Sequence, residues 1–144
     1  MAMETVQIRR RVQARLGDIK RAAVERREKV AAAERAYESF LADVATPTLN
    51  AVAQSLSAEG YPYRVTTPGG AVRMSSGRSS RTYLEVRLDT AGAVPQLIAE
   101  VGRERGSRVF TDEHPICRGL PIDAVTDEQL LGELLSLMSE MIER

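Results

Sequence analysis

The residues best equipped for chemistry sit in one short stretch, Asp112, Glu113, His114 and Cys117, which holds the only histidine and the only cysteine of the chain. A histidine and a cysteine three apart resemble part of a zinc site. A complete site takes three or four nitrogen, sulfur or carboxylate ligands, so this pair would need carboxylates or a second subunit to finish it. No metal and no cofactor are expected on that ground. His114 could in principle serve as base to a serine or threonine hydroxyl, but no nucleophile elbow surrounds any hydroxyl in the chain. Asp127 and Glu128 are neighbouring carboxylates, yet adjacent helical residues point about 100° apart, and both are already useful as negative charge at a helix start. The Pro68-Gly69-Gly70 run lacks the lysine and the spacing of a phosphate-cradling loop and reads as a turn. No catalytic residue is therefore assigned, and an enzyme is not the expectation.

Arginines form the second chemically active group. Arg9, Arg10, Arg11 and Arg15 crowd one end of the chain, while strand alternation puts Arg64, Arg73 and Arg87 on the same face as Tyr83, near the loop arginines Arg78 and Arg81. Such a face could meet phosphates, with Tyr83 as a stacking platform. Glu85 falls among them, and a solvated sheet face is ordinarily this polar, so binding of nucleic acid or another anion is the secondary expectation.

The whole chain is electrically balanced, with 20 basic and 20 acidic residues over 144. No overall field draws it to nucleic acid or to a membrane surface. Eighteen of the basic residues are arginine, a usage that suits a GC-rich bacterial genome. A lone cysteine excludes an internal disulfide and fits a reducing compartment. No segment approaches the roughly 18 apolar residues of a membrane span, and no apolar leader follows Met1, so a cytoplasmic location is expected.

These residues must be positioned by elements whose periodicities are plain. Between Gln7 and Val44 the chain holds no proline and one glycine, and a 3, 4 spacing aligns Val12, Leu16, Ile19, Ala23, Arg26, Val30, Ala33, Tyr37, Phe40 and Val44 on one seam. Such a narrow heptad seam is what a helix presents to another helix. At ~1.5 Å per residue the helix would be roughly 55 Å long, beyond what a domain of about a hundred residues can cover. Ala45-Thr46-Pro47 is expected to end it, with Thr46 as N-cap and Pro47 as first residue of a second helix that stops at Gly60.

From Tyr61 the period changes to two. Tyr61, Tyr63 and Val65, then Val72 and Met74, then Leu84, Val86 and Leu88 mark the inward faces of three antiparallel strands, with a type II turn expected at Thr67–Gly70. Residues 94–104 suit either strand or helix; the tight turn at Arg105-Gly106-Ser107 favours a hairpin of Gln96–Arg103 with Arg108–Asp112, in which Gly102 would mark a bulge. Glu113–Pro121 reads as a loop. Thr126 and Gln129 form a capping box before a leucine-rich helix whose apolar surface is wide enough to need two partners.

The fold expected is α+β: a long N-terminal helix (residues 1–45), then a domain (residues 46–144) with a second helix, a meander of four or five antiparallel strands, and a C-terminal helix on one sheet face. The function that follows is that of an interaction or adaptor module. It would self-associate or dock to a protein partner through the N-terminal helix, with Val12, Leu16, Ile19, Ala23, Arg26, Val30, Ala33, Tyr37 and Phe40 as the seam.

Overall fold

Pro47 does not end the first helix. In the computed structural model, which describes residues 2–142, helix α1 (Thr5–Phe40) runs through a π turn (Leu41–Ala45) straight into α2 (Thr46–Ala58). Phe40, Leu41, Ala45 and Thr46 all keep right-handed helical dihedrals, and Thr46 at φ −64°, ψ −48° makes no capping bond with its side chain. A capping residue would be extended there. The Thr46 amide donates instead to the Leu41 carbonyl, five residues back. The widened turn offers the physical reason the helix survives: it relieves the crowding between a proline ring and the carbonyl four residues earlier that would otherwise break the helix.

The sheet is a five-stranded antiparallel meander in the order β1-β2-β3-β4-β5, comprising Tyr63–Thr66, Val72–Ser76, Tyr83–Asp89, Gln96–Arg105 and Arg108–Ile116. Residues 96–105 are strand, as the Gly106 turn requires; Gly106 takes φ +62°, a conformation glycine adopts at little cost. The turn before β2 lies one residue later than its sequence suggests. The Ala71 amide donates to the Pro68 carbonyl at 2.9 Å, and Gly69 and Gly70 both have positive φ, as in a type I′ hairpin turn rather than type II.

Two further expectations need correcting. Gly102 is no bulge: it pairs in unbroken register with Tyr83 on one side and Thr111 on the other. A Cβ there would come within 2.2 Å of the Tyr83 ring, so the glycine exists to let that ring lie across the neighbouring strand. The segment Glu113–Ile116 is strand and not loop. Pro115 is tolerated because β5 is an edge, where a missing amide need not interrupt a ladder on both sides.

One face of the sheet carries the core. Val72, Met74, Leu84, Val86, Leu97, Ala99 and Val101 pack with Leu49, Val52, Ala53 and Leu56 of α2 and with Leu130, Leu134 and Met141 of α3 (Asp127–Ile142). Tyr37 and Phe40 of α1 are buried in the same cluster, and Tyr37 Oη donates to the Gly70 carbonyl at 2.7 Å. The packed unit thus begins inside the long helix, not after it. The start of α3 is held as its sequence implies: the Gln129 amide donates to Thr126 Oγ1 at 3.2 Å and the Thr126 amide to Gln129 Oε1 at 3.0 Å.

Candidate functional site

The arginine face of the sheet is occupied by its own chain. Strand register lines up Arg73, Glu85, Glu100 and Glu113 across β2, β3, β4 and β5. Arg73 lies 2.9 Å from Glu85, and Arg87 lies 3.3 Å from Glu100 and 2.7 Å from Glu113. The Arg73 guanidinium sits 3.9 Å from the centre of the Tyr83 ring, while the Tyr83 hydroxyl donates to Glu100. Desolvation, reinforced by the bond to Glu100, pushes the Tyr83 hydroxyl up to about 12. Ile98 pairs directly with Arg87 and is 3% exposed. Arg87 passes over β4 on that same face to reach Glu113 on β5.

Three carboxylates face two guanidinium groups in this network, so it offers no excess positive charge to a phosphate. Tyr83 is buried, with the Arg73 guanidinium over its ring and Gly102 against it, and presents no free stacking face. Arg64, Arg78 and Arg81 are exposed but lie outside the network, and Arg78 turns to the Gly60 carbonyl at 3.4 Å. Of the six residues read from sequence as an anion-binding surface, Arg64, Arg73, Tyr83 and Arg87 do share one sheet face, but Arg73, Tyr83 and Arg87 are engaged there by acids of the same chain. Glu85, expected to be solvated, is only 9% exposed.

The metal-like grouping is dispersed by the alternation of β5. Glu113 faces the outer network, whereas His114 faces the other way and places Nε2 3.1 Å from Glu140 of α3. Cys117 is buried beyond the strand end at φ +52°, and its amide donates to Glu133 at 3.1 Å. Burial, with Glu133 nearby, pushes its thiol up to about 11, so at neutral pH it is a protonated thiol and a poor nucleophile. Among the described residues, no three histidine, cysteine, aspartate or glutamate side chains are placed to share a metal ion.

The helical seam is divided in two. Tyr37 and Phe40 are buried, Val30, Ala33 and Val44 are partly covered, and Arg26 reaches the Thr90 and Gly92 carbonyls of the β3–β4 loop at 3.2 and 3.4 Å. Tyr37 and Phe40 are spent in the core, which takes them out of a partner-facing seam. Arg26 is a tether to the sheet and not a misfit in a coil. Toward the N-terminus, every described residue from Ala2 to Lys29 except Gly17 is exposed. Val12, Leu16 and Ile19 are each about half exposed, at 51%, 48% and 49%, and Ala23 is exposed beside them. Ile8 extends the same stripe by one turn. Among the described residues, the hydrogen bonds and ion pairs of the stretch from Ala2 to Val24 stay within that stretch, as with Arg21 and Asp18, and Arg26 marks where contact with the sheet begins.

A second open surface was not foreseen. Between α2 and α3 lies a groove of about 680 Å³ whose floor includes Pro47, Ala51, Leu56, Leu131, Leu135 and Met138 and whose rim carries Asp43, Glu59, Asp127 and Glu128. Leu131 and Leu135 are 36% and 52% exposed. The sequence held a signal for it: the leucine surface of α3 is too wide for the sheet alone. The second partner that this width calls for is not supplied along the groove, where Leu131 and Leu135 stay open.

No protein-family model, no curated protein and no solved structure matches this chain. Among the described residues, no helix is long and apolar enough to cross a membrane.

Proposed function

We propose that this protein is a non-enzymatic interaction module that associates through the free half of α1, self-association being the simplest case. One observation carries the reading: about twenty residues of regular helix, with Ile8, Val12, Leu16 and Ile19 on one stripe, stand clear of the domain that anchors them. The exposed apolar stripe of this extension gains stability by being covered. The α+β domain serves as the anchor. Its outer arginines are matched by acids, which leaves the anion-binding reading with little support. The groove between α2 and α3 is apolar, and its four carboxylates line the rim without converging on a point, unlike the placed polar groups of a substrate site.

Sedimentation velocity of the intact chain beside a Leu16→Asp, Ile19→Asp variant tests this. The intact chain is expected to sediment as an oligomer and the variant as a folded monomer. A wild-type chain that stays monomeric at high concentration would exclude self-association.

A further inference from the structure

We infer that the groove between α2 and α3 is the receptor for the free half of α1 from a second copy of this chain, so that two protomers exchange helices reciprocally. This rests on the self-association reading and specifies where the helix lands.

Charge is the first argument. Between Thr5 and Val24 the helix holds six basic residues, Arg9, Arg10, Arg11, Arg15, Lys20 and Arg21, and a single acid, Asp18, although the chain as a whole is neutral. At 100° per residue, Ile8, Val12, Leu16, Ile19 and Ala23 fall within a stripe about 80° wide, bordered by Arg11 and Arg15 on one side and by Arg9 and Lys20 on the other. The groove is the complement of that pattern: an apolar floor with Asp43, Glu59, Asp127 and Glu128 around it and no basic residue in its lining. An apolar helix face laid into an apolar groove, with opposite charges meeting at the rim, is a standard mode of helix recognition.

Length is the second argument. Asp43 and Glu59 mark the two ends of the groove along α2, sixteen residues or about 24 Å apart. From Ile8 to Ala23 the stripe covers fifteen residues, or about 22 Å, so it and the acidic groove are nearly the same length.

Connectivity decides between the chain's own groove and another's. The helix passes from α1 through the π turn into α2 without leaving helical dihedrals. Val24 therefore stands about 28 Å up the same rod from Asp43, and the free half can reach its own groove only by breaking that rod. A second copy has no such obstacle. Antiparallel rods that set Ile8 beside Glu59 and Val24 beside Asp43 are related by a two-fold axis near Ala33, where Ala31-Ala32-Ala33 lets the two helices approach closely. Such an arrangement is closed, and both grooves are filled.

The test uses full-length chains and sedimentation equilibrium. Leu135→Asp alters the groove at a half-exposed residue that the core does not need, and Leu16→Asp alters the helix. Each alone should weaken dimerisation by about tenfold or more, with the circular dichroism of the folded domain unchanged. Mixing the two variants pairs an intact groove with an intact helix across one half of the dimer, and association should recover to a level between either variant and wild type. Glu59→Arg should likewise weaken the dimer, and combining it with Arg9→Glu and Arg11→Glu should restore it. If Leu135→Asp and Glu59→Arg dimerise as wild type while Leu16→Asp does not, the helix pairs elsewhere; the inference falls and the self-association reading stands. If wild type is monomeric, both fall.

Discussion

The free stripe of α1 and the arginine face of the sheet both look like binding surfaces in sequence, and the structure treats them in opposite ways. On the sheet, Arg73 and Arg87 find Glu85, Glu100 and Glu113 on adjacent strands, and Tyr83 finds both a cation and a carboxylate. On the helix, Val12, Leu16 and Ile19 find nothing. A residue type with binding potential points outward only where the same chain leaves that potential unmet. Within α1 the rule repeats: one heptad spacing runs from Val12 to Val44, yet Tyr37 and Phe40 are core residues and Leu16 is bare.

The largest effect that would break this contrast is on stability along α1. Phe40→Ala is expected to cost about 3 to 5 kcal/mol, the range for a buried aromatic replaced by alanine, because Phe40 is 3% exposed within the core cluster. Ile19→Ala, one face position on the free half, should change monomer stability by less than ~0.5 kcal/mol. Denaturant unfolding at a concentration where the chain is monomeric reads both. Similar losses at the two sites would mean that the free half is packed after all.

The sheet offers the intermediate effect. Glu85→Ala removes the acid lying between Arg73 and Arg87 and is expected to cost about 2 kcal/mol, as for a charged hydrogen bond lost in a mostly buried setting. Arg81→Ala, at an exposed loop position, should cost less than ~0.5 kcal/mol. Equal values from urea titrations would show that the outer face is solvated and its arginines free to bind.

The smallest effect appears only at high pH. Burial pushes Tyr37 up to about 12, with Glu85 adding to the rise, and Tyr83 reaches about 12 through burial and its bond to Glu100. Unfolded tyrosine ionises near 10. Between about pH 10 and 12 the unfolded chain therefore holds fewer protons than the folded one, and stability must fall as pH rises. Below that window these groups contribute no slope. Replacing both with phenylalanine should flatten the alkaline limb of a plot of unfolding midpoint against pH; an unchanged limb would place both hydroxyls in water.

Much of the architecture was legible because it rests on local signals. Periods of two and of about 3.6 separated the meander from the helices, Gly106 marked the hairpin turn, and Thr126 with Gln129 announced α3. The misses share a cause: each depended on a neighbour distant in the chain or on a backbone state with no residue signature. Pro47 is an ordinary breaker until a π turn accommodates it. Gly102 looks like a bulge until the Tyr83 ring is placed above it. Strand alternation assigned Arg73, Glu85 and Arg87 correctly to one face, but only the register of four strands shows that they neutralise one another. The groove was invisible because it is a gap between two helices, though the excess leucine surface of α3 was its one trace.

The π turn at Leu41–Ala45 also acts as a phase setter. It holds one residue more than an α-helical turn would, so it fixes the rotation of the distal helix relative to the domain as well as sparing Pro47. Removing a single residue there would turn the bare stripe by about 100° around the rod. Every side chain of both surfaces would be retained, and their alignment would be lost. In this chain the orientation of a recognition helix is stored as an arithmetic remainder in the backbone, some 30 Å from the side chains it aims.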